Sequence, residues 1–119
     1  MNILQWVEAA GPHSTIWYSE YTRVVNIKNG FPPGAIYVGR AGYGYDGFFG
    51  NPFTIGKDGT REQVLKKYDA WLTHKVQHDD YFRAKVYDLR GKTLVCFCVP
   101  EKCHAMSLAI MADNLYELD

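Results

Sequence analysis

Residues 92–118 read KTLVCFCVPEKCHAMSLAIMADNLYEL, and they carry the clearest indication of fold class. The first seven residues form a short apolar run with β-branched and aromatic side chains, which predicts a buried strand. After the VPEK loop, apolar residues recur at helical spacing and predict a closing helix. The apolar positions of that helix are Met106, Leu108, Ala109, Met111, Ala112 and Leu115. Alternation of strands and helices is typical of an α/β domain.

Two earlier runs predict further strands. RVVNI (23–27) and AIYVGR (35–40) are rich in β-branched and aromatic residues. The turn-forming sequence KNGFPPG lies between them, so each run predicts a separate strand. We expect strands near 24–27, 35–40 and 93–98 to share one sheet.

Residues 60–76, TREQVLKKYDAWLTHKV, predict the first helix. Thr60 is a suitable N-cap, and the acidic Glu62 falls in the first turn. Apolar side chains follow at helical spacing. They are Val64, Leu65, Tyr68, Trp71, Leu72 and Val76. A second helix is predicted from Asp79 or Asp80 to about Asp88, ending before a glycine.

The composition is that of an ordinary globular domain. The 119 residues are 47% hydrophobic and 22% charged, and a chain of this length folds around a single core. We therefore predict one compact α/β domain, in which a small, mainly parallel or mixed sheet is packed by about three helices. Residues 24–119 form this domain, and residues 1–23 form an N-terminal arm or edge strands.

The N-terminal sequence and the cysteines indicate a compartment. The opening MNILQWVEAAGP lacks a basic segment and contains Glu8, and no apolar stretch approaches the length that a membrane span needs. An odd number of cysteines, three within residues 96–103, argues for reduced thiols rather than a disulfide framework. We expect a cytoplasmic protein with no membrane partner, in the host cytoplasm if the protein is viral.

The charge distribution limits the class of ligand. The net charge is zero, which excludes the strong basic footprint of a general nucleic-acid binder. Residues 57–92 nevertheless carry nine Lys or Arg against six Asp or Glu, while residues 93–119 carry one against four. A modest basic face is therefore expected on the first of these segments.

Cys96, Cys98, Cys103 and His104 form the spacing C-x-C-x4-C-H. Alternation along a strand turns Cys96 and Cys98 to the same face, and the short loop brings Cys103 and His104 back at the start of the last helix. Three cysteines and a histidine are a standard tetrahedral zinc ligand set, so zinc is the expected cofactor. Adjacent ligands at a helix start require an irregular first turn, because neighbouring side chains there point about 100° apart.

Two other interpretations of the four residues stay open. In one, the site is metal-free, and Cys103 or His104 is activated for catalysis by the helix N-terminus. In the other, the cysteines are buried structural thiols, since cysteine is among the most frequently buried residue types.

A second candidate site lies in the loop from Gly39 to Gly59, which has seven glycines in 21 residues. Arg40 follows a predicted strand, at the edge where α/β proteins bind ligands, and Asn51 lies within the loop. A guanidinium matches phosphate or carboxylate, and an amide pairs with a base or sugar. Aromatic residues that could stack on a nucleobase are Tyr43, Tyr45, Phe48 and Phe49.

The loop also has a purely structural interpretation. Residues 50–52 then form a turn, Phe49 and Phe53 anchor it in the core, and Arg40 pairs with Asp46. Neither a dinucleotide-binding glycine fingerprint nor a P-loop string occurs in the sequence.

The ordered motifs VVNI, AIYVGR, GNPF, YDAWL and LVCFCVPEKCH resemble a family of small bacteriophage and bacterial proteins of unknown function. The resemblance covers roughly residues 24–117. The family pattern usually has glycine after the Cys-His pair, where this chain has Ala105, and this leaves less room at the helix start. The resemblance implies a viral or bacterial setting and supplies no substrate.

Two functions remain as hypotheses. The first is a domain that binds or processes a nucleotide or nucleic acid, with Arg40 and Asn51 as ligand contacts. The catalytic candidates are then Asn51, Cys103 and His104, and a zinc-bound water could be the nucleophile if one coordination position stayed open. The second is a non-enzymatic phage accessory protein that binds a host or defence protein, with a purely structural Cys/His cluster.

Overall fold

The computed structural model describes residues 16–42, 44–96 and 103–118. In chain order the elements are β1 (Ile16–Tyr18), β2 (Arg23–Asn26), β3 (Ile36–Tyr37), α1 (Arg61–His78), α2 (Asp80–Tyr87), β4 (Thr93–Cys96) and α3 (His104–Leu118). A 3₁₀ turn, Ile27–Asn29, follows β2. None of the helices in these ranges has the length and apolar character to cross a membrane.

The strands form one sheet in the order β1-β2-β4-β3. β4 lies parallel to both of its neighbours, with Leu94 opposite Val24 of β2 and Ile36 of β3, whereas β1 is an antiparallel edge strand. All four residues of β4 are buried, as expected for a central strand covered on both faces. The predicted α/β class and the shared sheet are confirmed. The prediction that this strand reaches Cys98 falls outside the described residues.

The first two helices begin where the sequence places their caps. Thr60 accepts a hydrogen bond from the Gln63 N–H, and the Gln63 side chain binds back to the Thr60 backbone, forming a capping box. The Asp79 carboxylate caps α2 by accepting the Phe82 N–H at 3.0 Å. Both predicted helices are confirmed. Along α1, every fourth residue is buried: Val64, Tyr68, Leu72 and Val76.

The core lies between the sheet and the helices. α3 contacts α1, α2 and the sheet, and its inner face carries the small, fully buried Ala105, Ala109 and Ala112. Small side chains allow a helix to approach its neighbours closely. The larger buried side chains that fill the rest of this core include Val24, Leu72, Phe82, Leu94, Leu108 and Leu115.

Asp113 of α3 ties the β1–β2 connection to the domain. Its buried carboxylate accepts hydrogen bonds from the Ser19 hydroxyl, from the Tyr21 N–H at 3.0 Å and from the Thr22 hydroxyl at 2.7 Å. The Thr22 hydroxyl oxygen in turn accepts the Gly91 N–H at 3.0 Å. Residues 19–22 are thereby attached both to α3 and to the turn before β4.

Candidate functional site

The glycine loop and the described part of the Cys/His cluster meet at one edge of the sheet. β2, β3 and β4 are parallel, so their carboxyl ends lie together. Cys96 ends β4, and the chain leaving β3 continues alongside it, with the Val38 N–H donating to Val95 O at 3.0 Å. α3 starts at this edge with His104. In open α/β sheets the crevice at this edge is the usual place for a ligand.

Two glycines let the loop fold back onto the strand end. Gly47 has a φ of +71°, and a Cβ there would lie 2.6 Å from the Ala41 nitrogen. At Gly50 a Cβ would lie 2.8 Å from the carbonyl oxygen of Gly39. Backbone therefore packs against backbone at both positions, and a side chain would separate the loop from the strand.

Arg40 is exposed, but its guanidinium is held by the loop. Nη1 donates to Asn51 O at 2.6 Å, and Nη2 donates to Phe53 O at 2.5 Å. The Asp46 carboxylate, the alternative partner considered from the sequence, accepts the Phe48 N–H at 2.9 Å. A guanidinium has five N–H donors, so these two bonds fix its position without using its full donor capacity.

Asn51 is buried, and its amide serves the loop. Oδ1 accepts the Phe53 N–H at 2.9 Å, and Nδ2 lies 3.4 Å from Val64 O on α1. The first bond forms a turn over Pro52, and the second attaches that turn to the helix. Asn51 thus positions the carbonyl group that binds Arg40. Its predicted roles in catalysis and ligand contact stay predictions.

A cleft of about 410 Å³ opens beside Arg40. Two short segments of the glycine loop and one residue of α1 line it: Arg40, Ala41, Gly47, Phe48, Gly50, Asn51, Pro52 and Trp71. Sequence periodicity assigned Trp71 to the core of α1, yet it is only partly buried and faces this cleft. A pattern of apolar positions does not distinguish a core side chain from one at the margin of a cavity.

The predicted aromatic contacts divide into two groups. Tyr45 and Phe48 are 40% and 37% exposed and remain available to a ligand. Phe49 is 9% exposed, and its ring packs against Phe48 at a centroid distance of 4.8 Å. Phe49 therefore anchors the loop, as the structural interpretation expected. Tyr43 lies outside the described residues.

His104 connects the helix start to the segment that leads from β3 to Arg40. Its Nε2 lies 2.6 Å from Val38 O, and its Nδ1 lies 3.7 Å from Cys103 Sγ. A carbonyl oxygen can only accept, so Nε2 carries the proton and donates it, and Nδ1 presents a lone pair to Cys103. His104 is buried, as are Cys96 and Cys103. Cys98 lies outside the described residues.

The surroundings favour a neutral imidazole. Burial lowers the pKa of His104, the hydrogen bond to Val38 O acts in the opposite direction, and the positive charge of Arg40 lowers it further. Arg40 is thus electrostatically coupled to the buried histidine. Tyr68 packs edge-on against the imidazole at 5.1 Å. Burial raises the pKa of the Tyr68 hydroxyl far above its usual range, and this hydroxyl donates to Phe49 O at 2.9 Å.

The distance between Cys103 Sγ and His104 Nδ1 is that of a hydrogen bond and is also compatible with two ligands on one zinc ion. Zn–S and Zn–N bonds of about 2.3 and 2.0–2.1 Å at a tetrahedral angle place sulfur and nitrogen about 3.5–3.6 Å apart. The 3.7 Å between Sγ and Nδ1 agrees with this distance. Within residues 16–42, 44–96 and 103–118, no three His, Cys, Asp or Glu side chains are grouped to hold a metal. The predicted set includes Cys98, so it stays a prediction.

Comparison with known proteins gives a family and a phage relative. The family described as Domain of unknown function (DUF4326) matches residues 25–114, which include the loop, the cleft and the Cys/His cluster. The chain is similar to the uncharacterized 12.4 kDa protein in the nrdA-td intergenic region of Enterobacteria phage T4. The two are 30% identical over 73 residues, which cover 60% of this chain and 66% of the phage protein. No solved structure gives a significant match.

Proposed function

The chain belongs to the DUF4326 family, and we propose that it binds a nucleotide or nucleic-acid ligand in the cleft beside Arg40. The expectation of a family of unknown function is confirmed by the family match, and the phage relative supports the expected viral or bacterial setting. The ligand class rests on the cleft itself, because neither the family description nor the name of the phage relative specifies a ligand.

The observation that carries the proposal is the immobilised, exposed guanidinium. Two carbonyl groups fix Arg40 at the carboxyl edge of the sheet, so little side-chain entropy is lost when an anion binds. A planar, permanently charged guanidinium pairs with phosphate through two parallel hydrogen bonds. Exposed carboxylates would instead be expected beside a cationic ligand.

Aromatic side chains in the lining of the cleft support binding of the nucleoside part of a nucleotide. Phe48 and Trp71 both border the cleft, and aromatic rings bind bases by stacking. The Phe48 ring lies 5.4 Å from that of Phe82, and Trp71 lies 5.6 Å from the same ring, so a buried side chain supports both walls. A volume of about 410 Å³ lies within the range of small-molecule sites.

Calorimetric titration with adenosine, guanosine, cytidine and uridine monophosphates tests the proposal. Wild-type protein should bind at least one of them, and Arg40→Gln should weaken binding at least tenfold by removing a charge-assisted pair. Arg40→Lys keeps the charge and loses the paired N–H donors of the guanidinium, so its nucleotide affinity should be intermediate. Lys66→Gln, which removes an exposed charge beside a different cavity, is the matched control. Equal affinity of Arg40→Gln and wild type would refute the proposal.

Zinc held by Cys96, Cys98, Cys103 and His104 is the companion proposal. Support comes from the Nδ1–Sγ spacing and from the second ring nitrogen, since metal-binding histidines usually donate their other N–H to a carbonyl or carboxylate. Bound zinc would be a Lewis acid or a structural link. Protein purified without chelator should contain about one equivalent of zinc, and Cys98→Ser should lose both the metal and stability. Metal-free, equally stable wild-type protein would contradict it.

A non-enzymatic accessory protein is the second candidate function. The observation in its favour is burial, since Cys96, Cys103 and His104 are 1%, 3% and 7% exposed. A cluster enclosed in this way serves folding more readily than chemistry. Under this candidate, Cys103→Ser should lower the free energy of unfolding and leave nucleotide affinity of the folded protein unchanged. If the protein catalyses a reaction on the nucleotide, and Cys103→Ser abolishes that reaction without loss of stability, a catalytic role of Cys103 is favoured instead.

A further inference from the structure

Exposed aromatic rings continue beyond the cleft. Phe48 at the margin of the cleft is followed by Tyr81 on α2, and the two ring centroids lie 6.0 Å apart in an edge-on arrangement. Tyr81 is 65% exposed. Tyr45, which stacks on Tyr37 at 4.1 Å, is 40% exposed on the loop. A mononucleotide that fills the Arg40 cleft does not require the Tyr81 ring.

Cations accompany these rings. The Lys85 amino group lies 5.3 Å from the centroid of the Tyr81 ring. The Lys75 amino group lies 5.4 Å from the Trp71 ring at the cleft. Arg40 and Trp71 line the same cleft, so three cationic side chains lie beside the rings of the cleft and of Tyr81.

One neighbouring acidic group is engaged at the start of α2, and two others border a separate cavity. The Asp79 carboxylate caps the helix by accepting the Phe82 N–H. Asp80 and Asp88 border a separate cavity together with Arg83 and Tyr87. Lys85 therefore lies beside the Tyr81 end of this surface, whereas at the Phe48 end the Asp46 carboxylate is occupied by the Phe48 N–H at 2.9 Å. The carboxylates of Asp80 and Asp88 border a different part of α2.

From this arrangement, and resting on the ligand class proposed above, we infer that the ligand is a single-stranded nucleic acid. One nucleotide occupies the Arg40 cleft, and the base of a neighbouring nucleotide stacks on Tyr81. Sequence-tolerant binders of single strands combine cationic groups along the backbone with rings for successive bases. Paired bases in a duplex are already stacked and cannot use an exposed ring in this way. The zero net charge agrees with a short contact rather than a long tract.

The test is a calorimetric titration with deoxythymidine monophosphate and with unlabelled oligothymidylates of two to six nucleotides. Affinity should rise at least tenfold between the mononucleotide and the trinucleotide and then level off. With the three phosphates of a 5′-phosphorylated trinucleotide neutralised, the logarithm of the association constant should fall with the logarithm of salt concentration with a slope of about −2.

Single substitutions test which residues supply the higher affinity for the trinucleotide. Tyr81→Leu should lose about tenfold in trinucleotide affinity and none in mononucleotide affinity, and Tyr81→Phe should keep both, because phenylalanine retains the ring. Lys85→Gln should reduce the salt slope by about 0.7, and the control Lys66→Gln should leave it unchanged. Tyr81 and Lys85 are both exposed, and circular dichroism and the thermal midpoint verify that each variant is folded.

The outcomes separate this inference from the proposed function. A protein that binds mononucleotide, but binds the trinucleotide no more tightly, overturns the single-strand inference and leaves the cleft proposal intact. Binding of a duplex as tightly as of the single strand, unaffected by Tyr81→Leu, also overturns it, since only phosphates are then recognised. If neither mononucleotide nor oligonucleotide binds, both proposals fail.

Discussion

Asp113 and Arg40 each hold a distant segment of chain through hydrogen bonds, but they lie in opposite environments. The Asp113 carboxylate is 4% exposed and binds three donors from residues 19–22. The Arg40 guanidinium binds two carbonyl groups of the glycine loop and is exposed to solvent. The Asp113 charge is enclosed by its hydrogen-bond donors. The Arg40 charge is held by two carbonyl groups and remains open to solvent elsewhere.

The difference indicates what each charge contributes. A buried charge that lost its partners would be strongly destabilising, so the Asp113 cluster is expected to contribute mainly to folding. An exposed charge gains little for stability from the same kind of hydrogen bond, because water competes for it. Under the proposed function, the loop keeps this guanidinium rigid and accessible for an anionic ligand.

The largest expected effect comes from the enclosed charge. Asp113→Ala should lower the free energy of unfolding by about 3–5 kcal/mol, because each buried donor left without an acceptor costs about 1–3 kcal/mol. Urea unfolding followed by circular dichroism measures this change. Asp113→Asn keeps the volume and one acceptor oxygen, and it should cost less. A loss below about 1 kcal/mol for the alanine variant would show that water replaces the carboxylate.

The next effect tests the backbone packing beneath Arg40. Gly50→Ala should cost about 1–3 kcal/mol, since its Cβ would approach the Gly39 carbonyl oxygen to 2.8 Å and the neighbouring backbone must move. Gly50→Ser adds a further atom and should cost more. Both variants should also weaken nucleotide binding, measured on the folded fraction. Unchanged stability in both would mean that the loop can move away from the strand without loss.

Tyr68→Phe tests the link between the loop and α1 and should cost about 1 kcal/mol. It removes one buried hydrogen bond, from the hydroxyl to Phe49 O, and leaves that carbonyl without its donor. The ring and its contact with His104 remain. Chemical denaturation measures the loss, and amide hydrogen exchange of residues 47–53 should increase more than exchange in β4. Faster exchange throughout the domain would instead indicate a general loss of packing.

Local rules account for most of the elements. Thr60 and Asp79 cap their helices where the sequence predicts, and the β-branched runs at 23–27 and 35–40 supply two strands of the sheet. These features depend on neighbouring residues along the chain, so a single sequence contains them. The strand order β1-β2-β4-β3 was not predicted, because it depends on pairing between segments that are far apart in the chain.

The sequence indicated which residues belong to the candidate site better than it indicated the contacts that those residues make. Arg40 was expected to end a strand over 35–40, but the strand is Ile36–Tyr37 and Arg40 lies three residues beyond it. Its bonds to the carbonyl groups of Asn51 and Phe53 leave no side-chain pattern in the sequence. The same holds for the Val38 carbonyl that fixes the His104 tautomer. The Asp113 cluster was missed for a similar reason, because one carboxylate on a helix resembles an ordinary surface residue until its distant partners are known.

Arg40→Ala is expected to change stability less than any of the preceding variants. Arg40→Ala should change the free energy of unfolding by less than about 1 kcal/mol, because exposed hydrogen bonds and charges contribute little to stability. Its nucleotide affinity should nevertheless fall at least as far as that of Arg40→Gln, and urea unfolding beside calorimetric titration separates the two quantities. A loss of stability comparable to that of Asp113→Ala, with ligand affinity of the folded fraction preserved, would make Arg40 a structural clamp of the loop. Little loss of stability with a large loss of affinity means that the loop fixes the guanidinium for an anion.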